Sequence, residues 1–245
     1  MARKKMGDKV RTDGRLPDEN RKVSVEPDYV KTCAGSCLIS VGDTRVLCAA
    51  SVEERVPPHK RDSGEGWVTA EYAMLPGSSP WRVDRGRARA GRSQEIQRLI
   101  GRSMRSVVDL SKIEGLTVYI DCDVIQADGG TRCAAITGGY VALVRAVNAL
   151  LAEGRIAVSP VREAVAAVSV GVVGGVPMLD LDYSEDSTAE VDMNVVMTGG
   201  GRFVELQGTA EQTPFRKSDL NRLVALAEKG IRELLEIQAK HVGAK

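Results

Sequence analysis

The chain has 245 residues, of which 43% are hydrophobic and 27% are charged. This length and apolar content suffice for one large or two small domains with a hydrophobic core, and they exclude a peptide hormone, a collagen or a disordered tail. The 34 Lys and Arg residues nearly balance the 33 Asp and Glu residues, which leaves a formal net charge of +1.

The balanced charge is unevenly distributed along the chain. Eight arginines and only two acidic residues lie between Trp81 and Arg105, whereas six acidic residues and no Lys or Arg lie between Gly175 and Val195. A neutral protein that separates its charges in this way is expected to bind a charged ligand or partner.

The five cysteines and the N-terminal residues bear on the cellular compartment. The sequence opens with basic residues that no apolar stretch follows, so a secretory signal is not expected. No window is expected to supply the ~20 apolar residues of a membrane helix. Cys33 and Cys37 lie four residues apart without a nearby His, which argues against a zinc site. We expect a cytoplasmic protein without membrane association, with reduced and mostly structural thiols.

The first half is predicted to contain strands followed by helices. Residues 1 to about 25 are polar and indicate an extended lead-in, and Gly42-Asp43-Thr44 between two apolar runs predicts a hairpin. The segment from Pro76 to Gly91 has turn-forming residues and no apolar period, so it predicts a mobile surface loop. Strands are predicted at 36–41, 45–52, 67–75 and 116–125, and helices from 95 to about 108 and from 131 to 153.

The second half repeats this order of elements. Strands are predicted at 165–173, 178–183, 191–198 and 203–211, and an amphipathic helix at 218–239. The sequence therefore predicts an α+β fold of two β-then-α halves, about residues 11–155 and 156–245. Because no long linker separates them, we expect the halves to share one core within a single domain, 1–245.

The strongest chemical feature is Asp128-Gly129-Gly130-Thr131-Arg132, between a predicted strand and a predicted helix. The glycines allow close approach of a ligand, and the free N–H groups at the start of a helix attract anions. Thr131 adds a hydroxyl, and Arg132 adds a guanidinium that can bind phosphate through two hydrogen bonds. By pattern alone, a helix start with an incidental arginine is an equally good interpretation.

Two other groups of charged residues are candidates for binding or catalysis. Arg98, Arg102 and Arg105 share one face of a predicted helix, where they suit RNA phosphates, an acidic subunit interface or ion pairs with the acidic segment equally well. Asp186 and Asp192 could converge to hold Mg²⁺, or one could act as a general acid. Their neighbours Asp180 and Asp182 are interpreted as part of a solvated hairpin.

The candidate residues favour phosphoryl or nucleotidyl transfer over other chemistry. The sequence has no G-x-x-x-x-G-K, G-x-S-x-G or H-E-x-x-H motif and only two His residues, so a His-based hydrolase is not expected.

From about Arg11 to Lys240 the sequence resembles the bacterial ribonuclease PH family, phosphorolytic 3′-to-5′ exoribonucleases that trim tRNA precursors. The blocks that carry this resemblance are GDTRVLCAASVEE (42–54), GWVTAEYAMLP (66–76), GRSQEIQRLIGRSMR (91–105), CDVIQADGGTR (122–132), AEVDMNVVMT (189–198) and ELQGTAE (205–211).

The resemblance implies a ribosomal protein S5 domain 2-like fold and a homohexamer, a trimer of dimers around a central channel. It implies that inorganic phosphate, the co-substrate, binds to Arg92, Gly130, Thr131 and Arg132. It assigns Asp186 and Asp192 to Mg²⁺ binding and proton transfer, and Arg98 and Arg102 to the RNA backbone. This sequence departs from the family in a shorter loop at 76–91 and in Cys133, where a hydroxyl residue is more usual.

The expected reaction is attack of phosphate on the last phosphodiester of a tRNA precursor or another structured RNA 3′ end. A nucleoside diphosphate leaves, the reaction is reversible, and Asp186 is the predicted proton donor. Two alternatives are a non-catalytic RNA-binding ring subunit and a hydrolytic two-metal nuclease. The presence of Arg92, Thr131, Arg132, Asp186 and Asp192 argues against the first. The second would need more convergent carboxylates and no arginine phosphate clamp.

Overall fold

The computed structural model describes residues 11–84, 91–211 and 214–243 of the chain. Five strands form the first sheet: β1 (Val23–Pro27), β2 (Gly35–Val41), β3 (Thr44–Glu53), β4 (Trp67–Met74) and β5 (Thr117–Gln126). Their order is β1-β2-β3-β5-β4. All neighbours are antiparallel except β4 and β5, which are parallel because helix α1 (Gly91–Ser106) lies between them in the chain.

A second, antiparallel sheet contains the remaining described strands: β6 (Val165–Val173), β7 (Val176–Leu179), β8 (Val191–Thr198) and β9 (Phe203–Ala210). Their order is β7-β6-β8-β9. A single helical turn, α3 (Tyr183–Asp186), connects β7 to β8, and the long helix α4 (Lys217–Ala239) packs against β6 and β7.

Helix α2 (Thr131–Ala152) lies at the centre of the protein and contacts both sheets, packing against β2 and β3 on one side and β6 on the other. Its length and composition would suffice to cross a membrane, so the expectation that no segment is apolar enough was wrong. However, 78% of its apolar window is buried inside the protein. The apolar surface of α2 is thus explained by its position in the core.

Two large clusters of buried side chains stabilise the fold. The first lies around α2 and the first sheet, and it includes Val165, Ala167 and Val196 from the second sheet. The second fills the space between the second sheet and α4. The predicted α+β class with two β/α halves is confirmed by this architecture.

The lead-in and the acidic segment differ from their predictions. Residues 23–27 form a strand paired with β2, although their polar surroundings indicated only an extended lead-in. Strand β7 ends at Leu179 and not near Tyr183, because Asp180 has a positive φ of 53° and Asp182 begins α3. Part of the predicted mobile loop at 76–91, residues 85–90, lies outside the described residues.

Candidate active site

The turn between β5 and α2 forms one wall of the candidate site. Gly129 and Gly130 have φ values of 72° and 64°, in the left-handed region that favours glycine. A Cβ atom on Gly129 would lie 2.6 Å from the Leu181 carbonyl oxygen, so the turn and the acidic segment are in close contact. The Thr44 hydroxyl donates to the Gly129 carbonyl (2.7 Å) and accepts from the Asp128 N–H (2.9 Å). These contacts fix the backbone that starts α2.

Thr131, the first residue of α2, is positioned by a buried tyrosine. The hydroxyl oxygens of Thr131 and Tyr72 are 2.8 Å apart. Burial raises the pKa of Tyr72, so its phenol stays protonated at neutral pH. The hydrogen bond restricts the orientation of the Thr131 hydroxyl.

Arg132 follows Thr131 and contacts strand β9 and helix α1. Its Nη1 donates to Gln207 Oε1 at 2.6 Å and to Glu95 Oε1 at 3.3 Å, while Gln207 Nε2 donates to the same Glu95 oxygen at 3.2 Å. Arg92, near the start of α1, is exposed. The guanidinium groups of Arg92 and Arg132 come from different helices and line the same cleft as Thr131.

These groups surround an open cleft of about 350 Å³. The cleft brings together the predicted phosphate-binding and carboxylate residues, which come from α1, α2, α3 and β8. Its lining includes Arg92, Gly130, Thr131, Arg132, Asp186 and Asp192.

Asp186 and Asp192 are two aspartates that line this cleft. Burial raises the pKa of Asp186, although the nearby Arg92 and Arg132 oppose the shift. Burial and the negative charge of Asp186 raise the pKa of Asp192 to about 6. Asp192 Oδ1 is buried and has no hydrogen-bond partner among the described residues. Such an orphaned acceptor next to a second carboxylate suits either a bound proton or a cation.

The two carboxylates fit a hard cation such as Mg²⁺. Magnesium binds through one or two carboxylates and takes its other ligands from water and substrate phosphates. Within the described ranges, no group of three or more His, Cys, Asp or Glu residues could hold a metal ion. The donor set therefore suits a substrate-shared magnesium ion better than an ion held only by protein ligands.

Buried ion pairs position helix α3, which carries Asp186. Arg11 Nε donates to Glu185 Oε1 at 2.6 Å, and Arg11 Nη1 donates to the Leu179 carbonyl, also at 2.6 Å. Asp182 accepts from the Glu185 N–H at 3.0 Å and caps the helix.

The prediction that Asp180 and Asp182 belong to a solvated hairpin was wrong. Both are buried, and Asp180 pairs with Arg21. Arg21 precedes Asp180 by 159 residues, so the local charge pattern gave no indication of this partner.

The arginine face of α1 is less uniform than predicted. Arg105 is half-buried, donates to the Val68 carbonyl at 2.8 Å and lies over the Trp67 ring at 4.4 Å. Arg102 forms an ion pair with Glu205 on β9 at 2.7 Å. Arg98 and Arg102 are exposed and do not belong to the cleft lining.

Comparison with known proteins identifies the family of this chain. A family model described as "3' exoribonuclease family, domain 1" matches residues 19–147, and its companion, domain 2, matches residues 163–230. The chain belongs to the 3′ exoribonuclease family.

Solved structures similar to this 3′ exoribonuclease family member cover nearly the whole chain. The Archaeoglobus fulgidus exosome with RNA bound to its active site has 25% identity and a TM-score of 0.81, covering 93% of this chain and 92% of that one. Rice (Oryza sativa) Rrp46 has 17% identity and a TM-score of 0.78, with coverages of 95% and 99%. An archaeal exosome core has 24% identity and a TM-score of 0.76, with coverages of 94% and 91%. The last two show the shared fold alone.

Sequence reasoning missed several residues at the site of this exoribonuclease family member. Tyr72 and Gln207 lie within blocks that carried the family resemblance, but neither was selected because a lone Tyr or Gln has no distinctive spacing. Cys133, noted as a departure from the family, is buried and donates to Asn194 Oδ1 at 3.3 Å. Burial raises the pKa of the Cys133 thiol strongly, so it remains a protonated structural group.

Proposed function

We propose that this protein is a catalytically active ribonuclease PH, a phosphate-dependent 3′-to-5′ exoribonuclease and reversible nucleotidyltransferase. Its proposed substrates are tRNA precursors and other structured RNA 3′ ends, and its proposed product is a nucleoside diphosphate. The observation that carries this proposal is the single cleft in which Arg92, Thr131 and Arg132 face Asp186 and Asp192.

Phosphate binding follows from the chemistry of one side of the cleft. The free N–H groups at the start of α2, the Thr131 hydroxyl and the two guanidinium groups are all hydrogen-bond donors. They would neutralise inorganic phosphate and orient one of its oxygens toward the last phosphodiester of the RNA. Binding would require Arg132 to share its donors between phosphate and its present partners, Gln207 and Glu95.

The reaction forms one phosphorus–oxygen bond and breaks another. An oxygen of phosphate attacks the phosphorus of the terminal nucleotide, and the bond from that phosphorus to the 3′-oxygen of the preceding nucleotide breaks. The terminal nucleotide leaves as a diphosphate, and the released 3′-oxygen takes up a proton. The reaction exchanges a phosphate ester bond for a phosphoanhydride bond, so its equilibrium lies near balance. An excess of nucleoside diphosphate therefore drives the reverse reaction.

Asp186 and Asp192 have complementary tasks in this scheme. The pKa of Asp186 is raised and that of Asp192 is raised to about 6, so either carboxyl holds a proton more readily than an ordinary aspartate and could deliver it to the departing 3′-oxygen. The other carboxylate would hold Mg²⁺, which when bound supplies charge stabilisation at the transferred phosphoryl group. Asp186 remains the predicted proton donor.

The proposal extends to assembly and to the wider RNA contacts. We propose a cytoplasmic homohexamer in which Arg98 and Arg102 contact the RNA backbone without reading bases. The likeness to the RNA-bound Archaeoglobus fulgidus exosome, at 25% identity, supports a multimeric ring. A non-catalytic RNA-binding ring subunit is the competing proposal, and the complete set of donors and carboxylates in the cleft favours catalysis.

A product assay on a 3′-extended tRNA tests the proposed function. With Mg²⁺ and phosphate, the protein should shorten the tail and release nucleoside diphosphates, whereas omission of phosphate should abolish release. Monophosphate release without phosphate would identify a hydrolytic nuclease instead. Tight RNA binding with no release under either condition would identify a non-catalytic subunit.

A further inference from the structure

Two exposed aromatic rings lie together at the candidate active site, and the reaction scheme gives them no role. Trp81 is 68% exposed and Tyr183 is 45% exposed, and their ring centroids are 6.3 Å apart with an interplanar angle of 57°. Both residues belong to the lining of the cleft that holds Thr131 and Asp186. Exposed aromatic rings are scarce in this chain, because only 4% of its residues are Phe, Trp or Tyr.

The backbone around both rings is anchored close to the phosphate-binding turn. Tyr183 is the first residue of α3, and its N–H donates to Asp128 Oδ1 at 3.3 Å. The segment before Trp81 is fixed to the end of β5, since the Ala127 N–H donates to the Ser78 carbonyl at 2.7 Å. The Trp81 carbonyl accepts from the Ser79 hydroxyl at 2.7 Å. The aromatic pair thus has a defined place beside the groups that would hold the reacting phosphates.

We propose that Trp81 and Tyr183 form a stacking surface for a nucleobase at the 3′ end of single-stranded RNA. This inference rests on the proposed function, since it assigns the base of the substrate whose phosphates occupy the same cleft. Tyr183 precedes Asp186 by three residues on α3, so its ring and that carboxyl lie within one helical turn. That spacing places the base of the terminal, departing nucleotide near the rings while its phosphate faces Thr131 and Asp186.

The chemistry of the neighbouring residues predicts how bases are distinguished. Met74, Pro80 and Val83 also line the cleft and offer no side-chain hydrogen bonds to base edges, and the Ser79 hydroxyl is already donated to the Trp81 carbonyl. Stacking uses the π-face that every base has, so it tolerates any sequence. The surface is therefore expected to favour purines modestly because of their larger area, without selecting one base.

An exposed aromatic pair could instead contact a second copy of this chain. The RNA interpretation is favoured because the rings line the same cleft as Arg92 and Arg132, whose positive charge suits phosphates. The oligomeric state of each variant is therefore measured separately.

The test compares the wild type with Trp81→Ala, Trp81→Phe and the control Tyr29→Ala, which removes a ring that is 51% exposed outside this cleft. Each protein is given two oligoribonucleotides, one normal and one abasic at its 3′-terminal nucleotide. With the normal oligonucleotide, Trp81→Ala should raise the KM for RNA about tenfold, while Trp81→Phe and Tyr29→Ala should stay near the wild type. The KM for phosphate should be unchanged in all of them. With the abasic oligonucleotide, the wild type and Trp81→Ala should give the same KM.

Equal KM values for Trp81→Ala and the wild type on the normal oligonucleotide would overturn the stacking proposal. A tenfold rise in the KM for RNA that persists on the abasic oligonucleotide would also overturn it. A changed oligomeric state of Trp81→Ala in size-exclusion chromatography would do the same, because it would indicate a chain–chain contact. Quenching of tryptophan fluorescence by RNA separates this proposal from the proposed function. If the wild type releases no diphosphate, the proposed function fails, whereas quenching that disappears in Trp81→Ala and with abasic RNA still supports stacking.

Discussion

Arg21 and Asp180 form a buried pair in which the arginine donates three hydrogen bonds to one carboxylate. The backbone N–H and Nε reach Oδ2 at 2.8 and 3.0 Å, and Nη2 reaches Oδ1 at 2.8 Å. Both side chains are 5% exposed. Because Arg21 Nη1 also donates to the Asp128 carbonyl, one side chain connects the phosphate-binding turn to the segment that carries Asp186.

Replacement of Arg21 by Lys should lower catalysis more than substrate binding. Lysine keeps the charge but cannot bridge Asp180 and the Asp128 carbonyl with a planar fork, so the two walls of the cleft lose their fixed spacing. We expect kcat to fall about tenfold or more, since small displacements of reacting groups are costly, with little change in the KM for RNA. Steady-state kinetics at saturating Mg²⁺ measure both constants.

The matched control for Arg21 is an exposed ion pair, Lys229 with Asp18, at 2.7 Å. Lys229→Ala should change the free energy of unfolding by less than ~1 kcal/mol and leave kcat unaltered. Arg21→Met removes the guanidinium hydrogen bonds to buried Asp180 and leaves that carboxylate, among the described residues, only the backbone N–H of residue 21 at 2.8 Å and Arg15 Nη1 at 3.6 Å. This variant should lose about 3 kcal/mol of stability. If Arg21→Lys raised the KM for RNA and left kcat intact, a positioning role would be contradicted.

The lead-in and the acidic segment show where prediction from sequence fails. Hydrophobic periodicity located most helices and strands to within a few residues, because each pattern is local and repeats along one element. The pairing of Arg21 with Asp180 is set by tertiary contact across 159 residues, and no local pattern encodes it. From the sequence alone, the buried Arg21 therefore could not be distinguished from a solvent-exposed arginine.

The candidate site was predictable to the extent that its residues belong to continuous motifs. A helix begins at Thr131, directly after the two glycines, as the composition indicated, and the structure places Gly130, Thr131 and Arg132 in one cleft with Asp186 and Asp192. Tyr72 and Gln207 approach the same turn from β4 and β9, so only the assembled sheets reveal them. The same holds for Glu205, the partner of Arg102.

Gly129→Ala should destabilise the protein and weaken phosphate use together. Gly129 has a φ of 72°, and an added Cβ would lie 2.6 Å from the Leu181 carbonyl oxygen and 2.8 Å from the Tyr183 nitrogen. We expect a loss of about 2–4 kcal/mol in the free energy of unfolding, from the strained backbone and the overlap together. Urea unfolding measures this loss, and the KM for phosphate should rise because the turn and α3 are pushed apart.

Gly64→Ala isolates the backbone contribution to that loss. Gly64 has a φ of 68°, but no atom lies within 4 Å of an added Cβ. This variant should lose only the ~1–2 kcal/mol of the left-handed conformation and keep the wild-type KM for phosphate. If Gly129→Ala and Gly64→Ala lost the same free energy of unfolding, the close contact between the turn and the acidic segment would contribute nothing to the effect of Gly129→Ala.

Arg132→Ala and Arg102→Ala should separate phosphate use from RNA binding. Arg132 lies in the cleft, so its loss should raise the KM for phosphate at least tenfold and change the affinity for RNA little. Arg102 is exposed outside the cleft, so its loss should weaken RNA binding and lower the slope of log K against log salt by about 1. Equal effects of Arg132→Ala on phosphate and RNA would assign Arg132 to RNA instead.

Asp192→Asn should stabilise the protein at neutral pH and have little effect near pH 4. The pKa of Asp192 rises from an ordinary value of 3.8 to about 6, so the folded protein binds this proton more tightly than the unfolded chain does. Stability from this group is complete below pH 4 and is lost as the pH rises through 6. The loss is at most about 3 kcal/mol above pH 7. Asparagine does not ionise, so the variant avoids that loss, and melting temperatures from pH 4 to 8 without Mg²⁺ measure the difference.

If Asp192 holds Mg²⁺, the ion should make the wild type more stable than Asp192→Asn at neutral pH. Mg²⁺ binds the ionised carboxylate, so at pH 7.5 it should raise the melting temperature of the wild type but not that of Asp192→Asn. At pH 5 protons compete for the same oxygens, and the effect on the wild type should largely disappear. A wild-type stabilisation by Mg²⁺ that is the same at pH 5 and 7.5, or that persists in the variant, would place the ion elsewhere. A stability difference between the two proteins that does not depend on pH would show that burial does not hold a proton on Asp192.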